Sequence, residues 1–275
     1  MSTFSSPMTT SQIEAFHTNG YHIADALIPD ELIARLMEEA AVICRGERGR
    51  VDGLPESVHG DSEAETLQRV LAIHFPHKVS ELYTEFLVYP PISDILTHLI
   101  GPNVKCMQSL LFIKPPGMPG QAWHQDEIPI PTRDRSLTAA WVALDDTTVE
   151  NGCLWILPGS NRPGILYERL PHNDPRYDGT PQATRIPYSE EDACPVEISR
   201  GSVLFFNGYL LHRSLNNVTA GQYRRNLVLH YMSAESFLRW RGADDYRDIV
   251  IVAGSDPYDY KGTVDESRAF VRKRN

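Results

Sequence analysis

The chain has 275 residues, of which 41% are hydrophobic and 23% are charged, and its formal net charge is −10. This is the composition of a globular protein with a substantial core, and chains of this length built on a barrel often form one domain. The acidic balance argues against nucleic acid or a membrane surface as the main partner, because both attract basic faces. No apolar run approaches the roughly 18 residues that a membrane-spanning helix needs.

The cysteines are far apart in the sequence and form no Cys-x-x-Cys pair: Cys44, Cys106, Cys153 and Cys194. Because no signal-like segment stands at the N-terminus, this spacing indicates reduced thiols in a cytoplasmic protein. We expect the protein to be a monomer or a homodimer and to act on a small-molecule substrate.

Helices dominate the predicted elements of the first hundred residues. Asn19-Gly20 is expected to end the first helix, and Pro29 stands at the start of a helix with apolar residues at helical spacing. Residues 1–8 are small and polar, and we expect them to be disordered. The predicted elements are helices over 10–17, 29–43, 79–86 and 91–100 and a strand over 21–28.

Strands dominate from residue 103 onward. Helices followed by antiparallel strands predict a mainly β fold with flanking helices: a double-stranded β-helix, the jelly-roll or cupin-like barrel, buttressed by the N-terminal helices. No internal repeat is present, and we expect a single domain over 1–275. Two polar stretches, 45–66 and 162–194, are predicted to form lid or insert loops.

The short motif His124-Gln125-Asp126 carries the most chemical information. On a strand, residues i and i+2 share one face, so His124 and Asp126 are expected to point the same way and Gln125 the other way. The segment 201–212 begins with Gly-Ser, continues through β-branched and aromatic residues and ends in His212, which predicts a strand carrying a third ligand. Each histidine alone is better explained as a core residue. Together, two imidazoles and one carboxylate suit one face of an iron(II) ion.

These residues lie in longer stretches that resemble the phytanoyl-CoA hydroxylase-like (PhyH) family of Fe(II)/2-oxoglutarate-dependent dioxygenases. The stretches follow the family's order from residue 10 to residue 235. They are 16–21, 123–126, 140–146, 150–160, 201–217 and 224–231.

The resemblance implies a catalytic set of His124, Asp126 and His212 as iron ligands and Arg224 as the clamp on the far carboxylate of 2-oxoglutarate. The planar fork of an arginine binds a carboxylate with two parallel hydrogen bonds, which a lysine cannot do. Tyr231, seven residues after Arg224, favours this arginine. The interval from His212 to Arg224 is one residue longer than expected for the family, which leaves Arg225 as the alternative.

Two further residues match positions near the family's co-substrate, and strand alternation adds a third candidate. Ser214 matches a hydroxyl on the same carboxylate or is a turn serine, and Trp141 matches a co-substrate wall residue or is a core aromatic. Gln108 alternates with Leu110 and Phe112 and could face the pocket.

The implied reaction uses Fe(II), 2-oxoglutarate and O2, yields succinate and CO2, and hydroxylates a C–H bond of the substrate. Desaturation, ring closure and endoperoxide formation use the same centre and remain alternatives. Two other classes also stay open. A cupin-like metal enzyme that does not use 2-oxoglutarate would have no need of Arg224, and a catalytically idle relative would act as a binding module.

Candidate substrate contacts lie beside the metal motif and in an earlier histidine-containing segment. They are Glu127, Ile128, Arg133 and His74. Arg133 could pair with an acidic substrate or form a solvated turn, and His74 could simply pack or cap. Nothing in the sequence resembles a coenzyme A cradle.

Overall fold

The computed structural model describes residues 8–56, 61–236, 238, 249–261 and 267–274. In these ranges the helices are α1 (Thr10–Asn19), α2 (Asp30–Cys44), α3 (Glu63–Leu67), α4 (Glu81–Leu87) and α5 (Pro90–Leu99). The strands are β1 (Tyr21–Ala24), β2 (Val70–His74), β3 (Val104–Lys114), β4 (Gln121–His124), β5 (Thr138–Ala143), β6 (Leu154–Ile156), β7 (Arg169–Leu170), β8 (Gln182–Ala183), β9 (Cys194–Val196), β10 (Val203–Asn207), β11 (His212–Ser214), β12 (Arg224–Ser233), β13 (Val250–Ala253) and β14 (Phe270–Lys273).

The predicted N-terminal helices are confirmed, and the local signals explain their limits. In α1 the Thr9 side chain accepts a hydrogen bond from the Gln12 backbone, and the Gln12 side chain accepts one from the Thr9 backbone, which forms a capping box. The helix ends at Gly20, whose φ of +85° is left-handed and suits glycine. The strand predicted over 21–28 ends earlier, at Ala24, because the chain turns at Ala26 with φ +47°.

Two antiparallel sheets form the body of the fold. The larger sheet has the strand order β1-β10-β5-β12-β3-β2-β14, and β13 also pairs with β3. The smaller sheet has the order β4-β11-β6-β9, and β7 and β8 form a separate ribbon. This arrangement confirms the mainly β architecture of a double-stranded β-helix with N-terminal helices.

Strand alternation on β12 separates two environments. Leu227 and Leu229 belong to the cluster that packs against Leu36 and the other buried residues of the helices. Val228, on the opposite face, packs with Leu154 of the smaller sheet. Since the side-chain period of a strand is two, one face of the larger sheet supports the helices while the other forms the interior between the sheets.

The loop predictions fall on segments with mixed structure. Residues 162–194 include the ribbon β7–β8 and a 3-10 turn at Glu190–Asp192, while 45–66 leads into α3. Most of the stretch 1–8, predicted to be disordered, lies outside the described residues, and the single-domain organisation remains a prediction. In the described part of the chain, no helix combines the length and apolarity needed to cross a lipid bilayer.

Candidate metal centre and co-substrate pocket

The smaller sheet brings the two motif histidines together. His124 ends β4 and His212 begins β11, and the two residues are direct cross-strand partners with ring centroids 4.0 Å apart. Asp126 Oδ1 lies 3.8 Å from His124 Nε2 and 3.7 Å from His212 Nε2. One ligand atom from each of the three residues lies within 4.8 Å of the other two, a grouping that could hold a metal ion.

The hydrogen bonds of the two imidazoles fix which nitrogen faces this point. His124 Nδ1 donates to the Ala122 carbonyl at 2.8 Å, and His212 Nδ1 donates to the Leu210 carbonyl at 3.0 Å. Because a carbonyl oxygen only accepts, each neutral ring carries its proton on Nδ1 and presents the Nε2 lone pair. The donor set therefore fits a divalent metal without rearrangement.

Electrostatics favours the protonation states that a metal ligand needs. Burial, followed by the neighbouring His212, lowers the pKa of His124 to about 3, so its ring is neutral. Burial raises the pKa of Asp126, but the imidazoles of His212, His230 and His124 more than offset this effect and hold it below its ordinary value. Two neutral rings and one carboxylate are the form in which such residues bind a divalent cation.

The route from His124 to Asp126 differs from the expected strand alternation. Strand β4 ends at His124, and Asp126 lies in the turn that follows. Gln125 points away from the ligands but is fully buried: its amide nitrogen donates to the Ile165 and Tyr209 carbonyls at 2.9 and 2.7 Å. Its oxygen accepts from the Tyr167 backbone at 2.9 Å, so Gln125 ties the segment 162–194 to the metal-binding turn.

A pocket of about 360 Å³ runs from the three ligands to Arg224 at the start of β12. Arg224 is only 5% exposed, and its guanidinium lies 5.6 Å from the centroid of the Trp141 ring. One guanidinium nitrogen donates to Asn226 Oδ1, whereas Arg224 Nε and Asn226 Nδ2 have no hydrogen-bond partner among the described residues. Unsatisfied buried donors mark a place where a ligand acceptor fits.

Lys114 adds a second cation to the same end of the pocket. Its ammonium, on a side chain 6% exposed, donates to Ser214 Oγ at 3.1 Å and to the Leu215 carbonyl at 2.5 Å. Burial and then the charge of Arg224 hold the pKa of Lys114 well below its usual range, and burial lowers the pKa of Arg224 to about 10. No acidic side chain in the described ranges forms an ion pair with either residue. Asp178, which also lines the pocket, acts on Lys114 only through its charge, without an ion pair. Two buried cations with no ion-pair partner among the described residues favour an anionic ligand.

The neighbouring arginine has a different environment. Arg225 donates to the Asp145 carboxylate through Nε at 2.8 Å and through Nη2 at 2.5 Å. Strand alternation turns it away from the pocket, and its fork is already filled by a carboxylate. The geometry therefore favours Arg224 over Arg225 as the residue that meets a ligand.

The other predicted co-substrate residues also reach the pocket. Gln108, Trp141 and Ser214 all line it. Gln108 does so through the predicted alternation with Leu110 and Phe112, which line the same wall. The sequence pattern thus places these side chains together, although their contacts with a co-substrate remain a prediction.

The predicted substrate residues lie outside the pocket wall. The Glu127 carboxylate accepts two hydrogen bonds from Thr132, both at 2.6 Å, and burial raises its pKa to about 7. Arg133 donates to the Glu235 carbonyl at 2.5 Å, and His74 stacks on Phe270 with ring centroids 4.0 Å apart. Ile128 is half-buried and also does not line the pocket. Other residues that line the pocket are Leu71, Met118, Pro119, Pro129, Ile130, Arg169, Asp178 and Arg272.

Sequence reasoning missed several polar residues of the pocket wall, among them Lys114 and His230. Both could have been found by continuing the alternation along the strands. Lys114 shares a face with Gln108 on β3, and His230 shares a face with Arg224 on β12.

The chain is similar in sequence to a known protein family. The sequence model of the phytanoyl-CoA dioxygenase (PhyH) family matches residues 16–226. A phytanoyl-CoA dioxygenase of Arabidopsis thaliana is 25% identical over 258 residues, which cover 83% of this chain and 90% of that protein.

Two solved structures share the fold at about 20% identity. The apo non-haem monooxygenase ThoJ gives a TM-score of 0.69 over 89% of this chain and 84% of that one, at 20% identity. The epimerase SnoN, in complex with Fe3+, α-ketoglutarate and nogalamycin RO, gives 0.61 over 90% of this chain and 96% of that one, also at 20% identity. The chain belongs to the phytanoyl-CoA dioxygenase (PhyH) family of iron- and 2-oxoglutarate-dependent oxygenases.

Proposed function

We propose that this enzyme hydroxylates a C–H bond of a small-molecule substrate and converts 2-oxoglutarate to succinate and CO2. The supporting observation is the layout of one pocket, with a group of residues that could hold a metal ion at one end and two buried cations without a described ion-pair partner at the other. A metal-chelating co-substrate with a second, distal carboxylate has complementary chemistry at both ends.

At the metal end, His124, Asp126 and His212 would hold iron(II) on one face, through two Nε2 lone pairs and a carboxylate oxygen. The bound iron and 2-oxoglutarate supply the oxidising chemistry, while the protein fixes geometry and access. The protein holds its two histidines in the right tautomer through backbone carbonyls before any ion arrives.

At the far end, Arg224 would bind the distal carboxylate of 2-oxoglutarate through its planar fork. Lys114 and Ser214 would add donors to the same carboxylate, and Trp141 would form the wall beneath the guanidinium. A charge-assisted pair in a buried site contributes more than one in water, so this end determines the affinity for the co-substrate.

The segment 162–194 would cover the pocket. Arg169 and Asp178 of this segment line the pocket, and Arg213 of β11 binds the segment through Glu190, with nitrogen–oxygen distances of 2.9 and 2.5 Å. The Arg213 guanidinium lies 4.6 Å from the centroid of the Trp123 ring, next to His124. A cover held in this way would keep water out of the site.

The first experiment measures succinate formed by the purified protein with iron(II), ascorbate, oxygen and 2-oxoglutarate. We expect slow turnover that His124→Ala and Arg224→Ala abolish and that the matched control Arg225→Ala retains. Absence of both turnover and 2-oxoglutarate binding to the anaerobic iron(II) form would contradict the proposed co-substrate site.

A second experiment tests hydroxylation itself. Small-molecule libraries are screened for succinate formation above the slow background, and products are analysed by mass spectrometry after reaction under isotopically heavy oxygen gas. We expect a product that has gained one oxygen atom carrying the heavy isotope. A product that has lost two hydrogens would indicate desaturation instead of hydroxylation. A product of unchanged formula would indicate rearrangement.

A further inference from the structure

The two oxygens of the Asp126 carboxylate have different partners. Oδ1 faces the Nε2 atoms of His124 and His212, at 3.8 and 3.7 Å. Oδ2 lies 3.1 Å from Nε2 of His230, a residue of β12 that is 5% exposed and lines the pocket. We propose that His230 is a positioning residue that restricts Asp126 to one metal-binding oxygen. This inference rests on the metal site of the proposed function.

The direction of this hydrogen bond follows from the chemistry of the partners. An ionised carboxylate only accepts, so His230 Nε2 must carry the proton and donate to Oδ2. In the neutral ring Nδ1 is then an acceptor, and the amide nitrogen of Gln108 lies 3.5 Å from it. The Gln108 amide therefore favours the tautomer that donates to Asp126, through a long and weak contact.

The backbone places these residues opposite each other. His230 on β12 and Gln108 on β3 are direct cross-strand partners, and the register between the two strands shifts immediately after this pair, at Tyr231. Irregular pairing of this kind is common beside functional sites, where it redirects a side chain. Asp126 lies in a turn beyond the end of β4, so the strand itself does not orient its carboxylate. Among the described residues, the hydrogen bond from His230 of β12 does so.

The consequence concerns the number of positions that Asp126 occupies on the metal. A carboxylate with two free oxygens can bind an ion through both of them, which takes a position that a chelating co-substrate needs. A donor on Oδ2 makes that oxygen a poorer ligand and leaves Oδ1 as the ligand. His230 would thus keep a position available for 2-oxoglutarate without touching the metal.

The test compares His230→Leu, which removes the donor at similar volume, with His230→Gln, which retains an N–H donor. His22→Leu is the matched control, because His22 is a partly buried histidine on β1, away from the site. For each protein, iron(II) affinity is measured without oxygen, 2-oxoglutarate is titrated by its visible charge-transfer band with iron(II), and the cobalt(II) absorption spectrum reports coordination number.

For His230→Leu we expect 2-oxoglutarate and iron(II) affinities about 10-fold weaker, the usual scale for losing a partner of a metal ligand. The charge-transfer band and the cobalt spectrum should change as well, and His230→Gln should restore most of the wild-type behaviour. His22→Leu should match the wild type in all three measurements.

Unchanged band, spectrum and affinities in His230→Leu would overturn the proposal. Equal losses in His230→Leu and His230→Gln would also overturn it, because packing rather than the donor would then be responsible. If His230→Leu does not fold, the spectra of His230→Gln decide: wild-type spectra support the donor role, and spectra with an extra carboxylate oxygen on the metal overturn it. A wild-type protein without any 2-oxoglutarate band would instead contradict the proposed function.

Discussion

The two ends of the pocket balance charge in different ways. At the metal end, the single carboxylate of Asp126 is surrounded by the imidazoles of His124, His212 and His230. At the far end, Arg224 and Lys114 are both buried, and neither forms an ion pair with an acidic residue in the ranges that the structure describes. The charge at the metal end thus has polar partners within the protein, whereas the cations at the far end favour a ligand anion.

This difference separates preformed geometry from ligand-dependent stability. Hydrogen bonds that already fix the metal ligands lower the cost of organising the site when an ion binds. Buried cations without an ion-pair partner instead reduce the stability of the free protein, and an anion that binds them restores it. We expect 2-oxoglutarate to raise the melting temperature mainly through the far end.

The largest effect should come from removing the single acid of the metal end. Asp126→Ala removes the one carboxylate of the candidate ligand group and leaves its two imidazoles, so we expect bound iron(II) to fall below detection after anaerobic reconstitution. Iron content and equilibrium affinity measure this loss. Asp134→Ala, which removes a nearby exposed aspartate that accepts from Ser136, is the control and should bind iron like the wild type. Wild-type iron affinity in Asp126→Ala would contradict the site.

The next effect separates the adjacent arginines. Arg224→Met should weaken 2-oxoglutarate binding by about 100-fold, since it removes the buried partner of a charged group. Arg225→Met should leave that affinity unchanged but lower the unfolding free energy by about 1 kcal/mol, because it breaks a partly exposed pair with Asp145. Anaerobic titration and denaturant unfolding of both variants measure these outcomes, and a larger binding loss in Arg225→Met would reverse the assignment.

The sequence predicted much of the fold, because the information needed was local. The capping box of α1, Gly20 at its end and the apolar periodicity of α2 determine the N-terminal helices. Alternation also places Gln108 in the pocket wall, because the two-residue period of side chains along a strand can be read without knowing which strands are its neighbours.

What the sequence could not provide depends on long-range contacts. Arg224 and Arg225 are distinguished by the pairing of β12 with β3 and β5, which sets the face of each residue. The role inferred for His230 requires that β12 meet the turn after β4. His74 was a candidate substrate residue, but β2 pairs with β3 and β14, and Phe270 of β14 covers its ring. Such contacts are set by packing and register rather than by local pattern.

The smallest predicted effect comes from replacing Lys114. It is recognised by the pH dependence of stability and of 2-oxoglutarate affinity. In the free protein, burial and Arg224 hold the pKa of Lys114 below the ordinary 10.5, so the folded state releases this proton more easily than the unfolded chain. Below the folded pKa the charged lysine costs stability in full, and this cost fades as pH rises toward 10.5. The free wild type should therefore gain stability relative to Lys114→Met across that window.

Binding of 2-oxoglutarate should raise the pKa of Lys114 again, because a carboxylate then faces the ammonium. Above the pKa of the free protein, binding must take up a proton, so affinity should fall as pH rises. Lys114→Met should bind about 10-fold more weakly at low pH, the scale of one hydrogen bond to a charged group, and lose this pH dependence. Calorimetry in two buffers of different ionisation enthalpy measures the proton uptake.

Lys105, a buried lysine paired with Asp256 at 3.0 Å, provides the control, because Lys105→Met should retain both the affinity and the uptake. Equal proton uptake by the wild type and Lys114→Met would show that the far end depends on Arg224 alone.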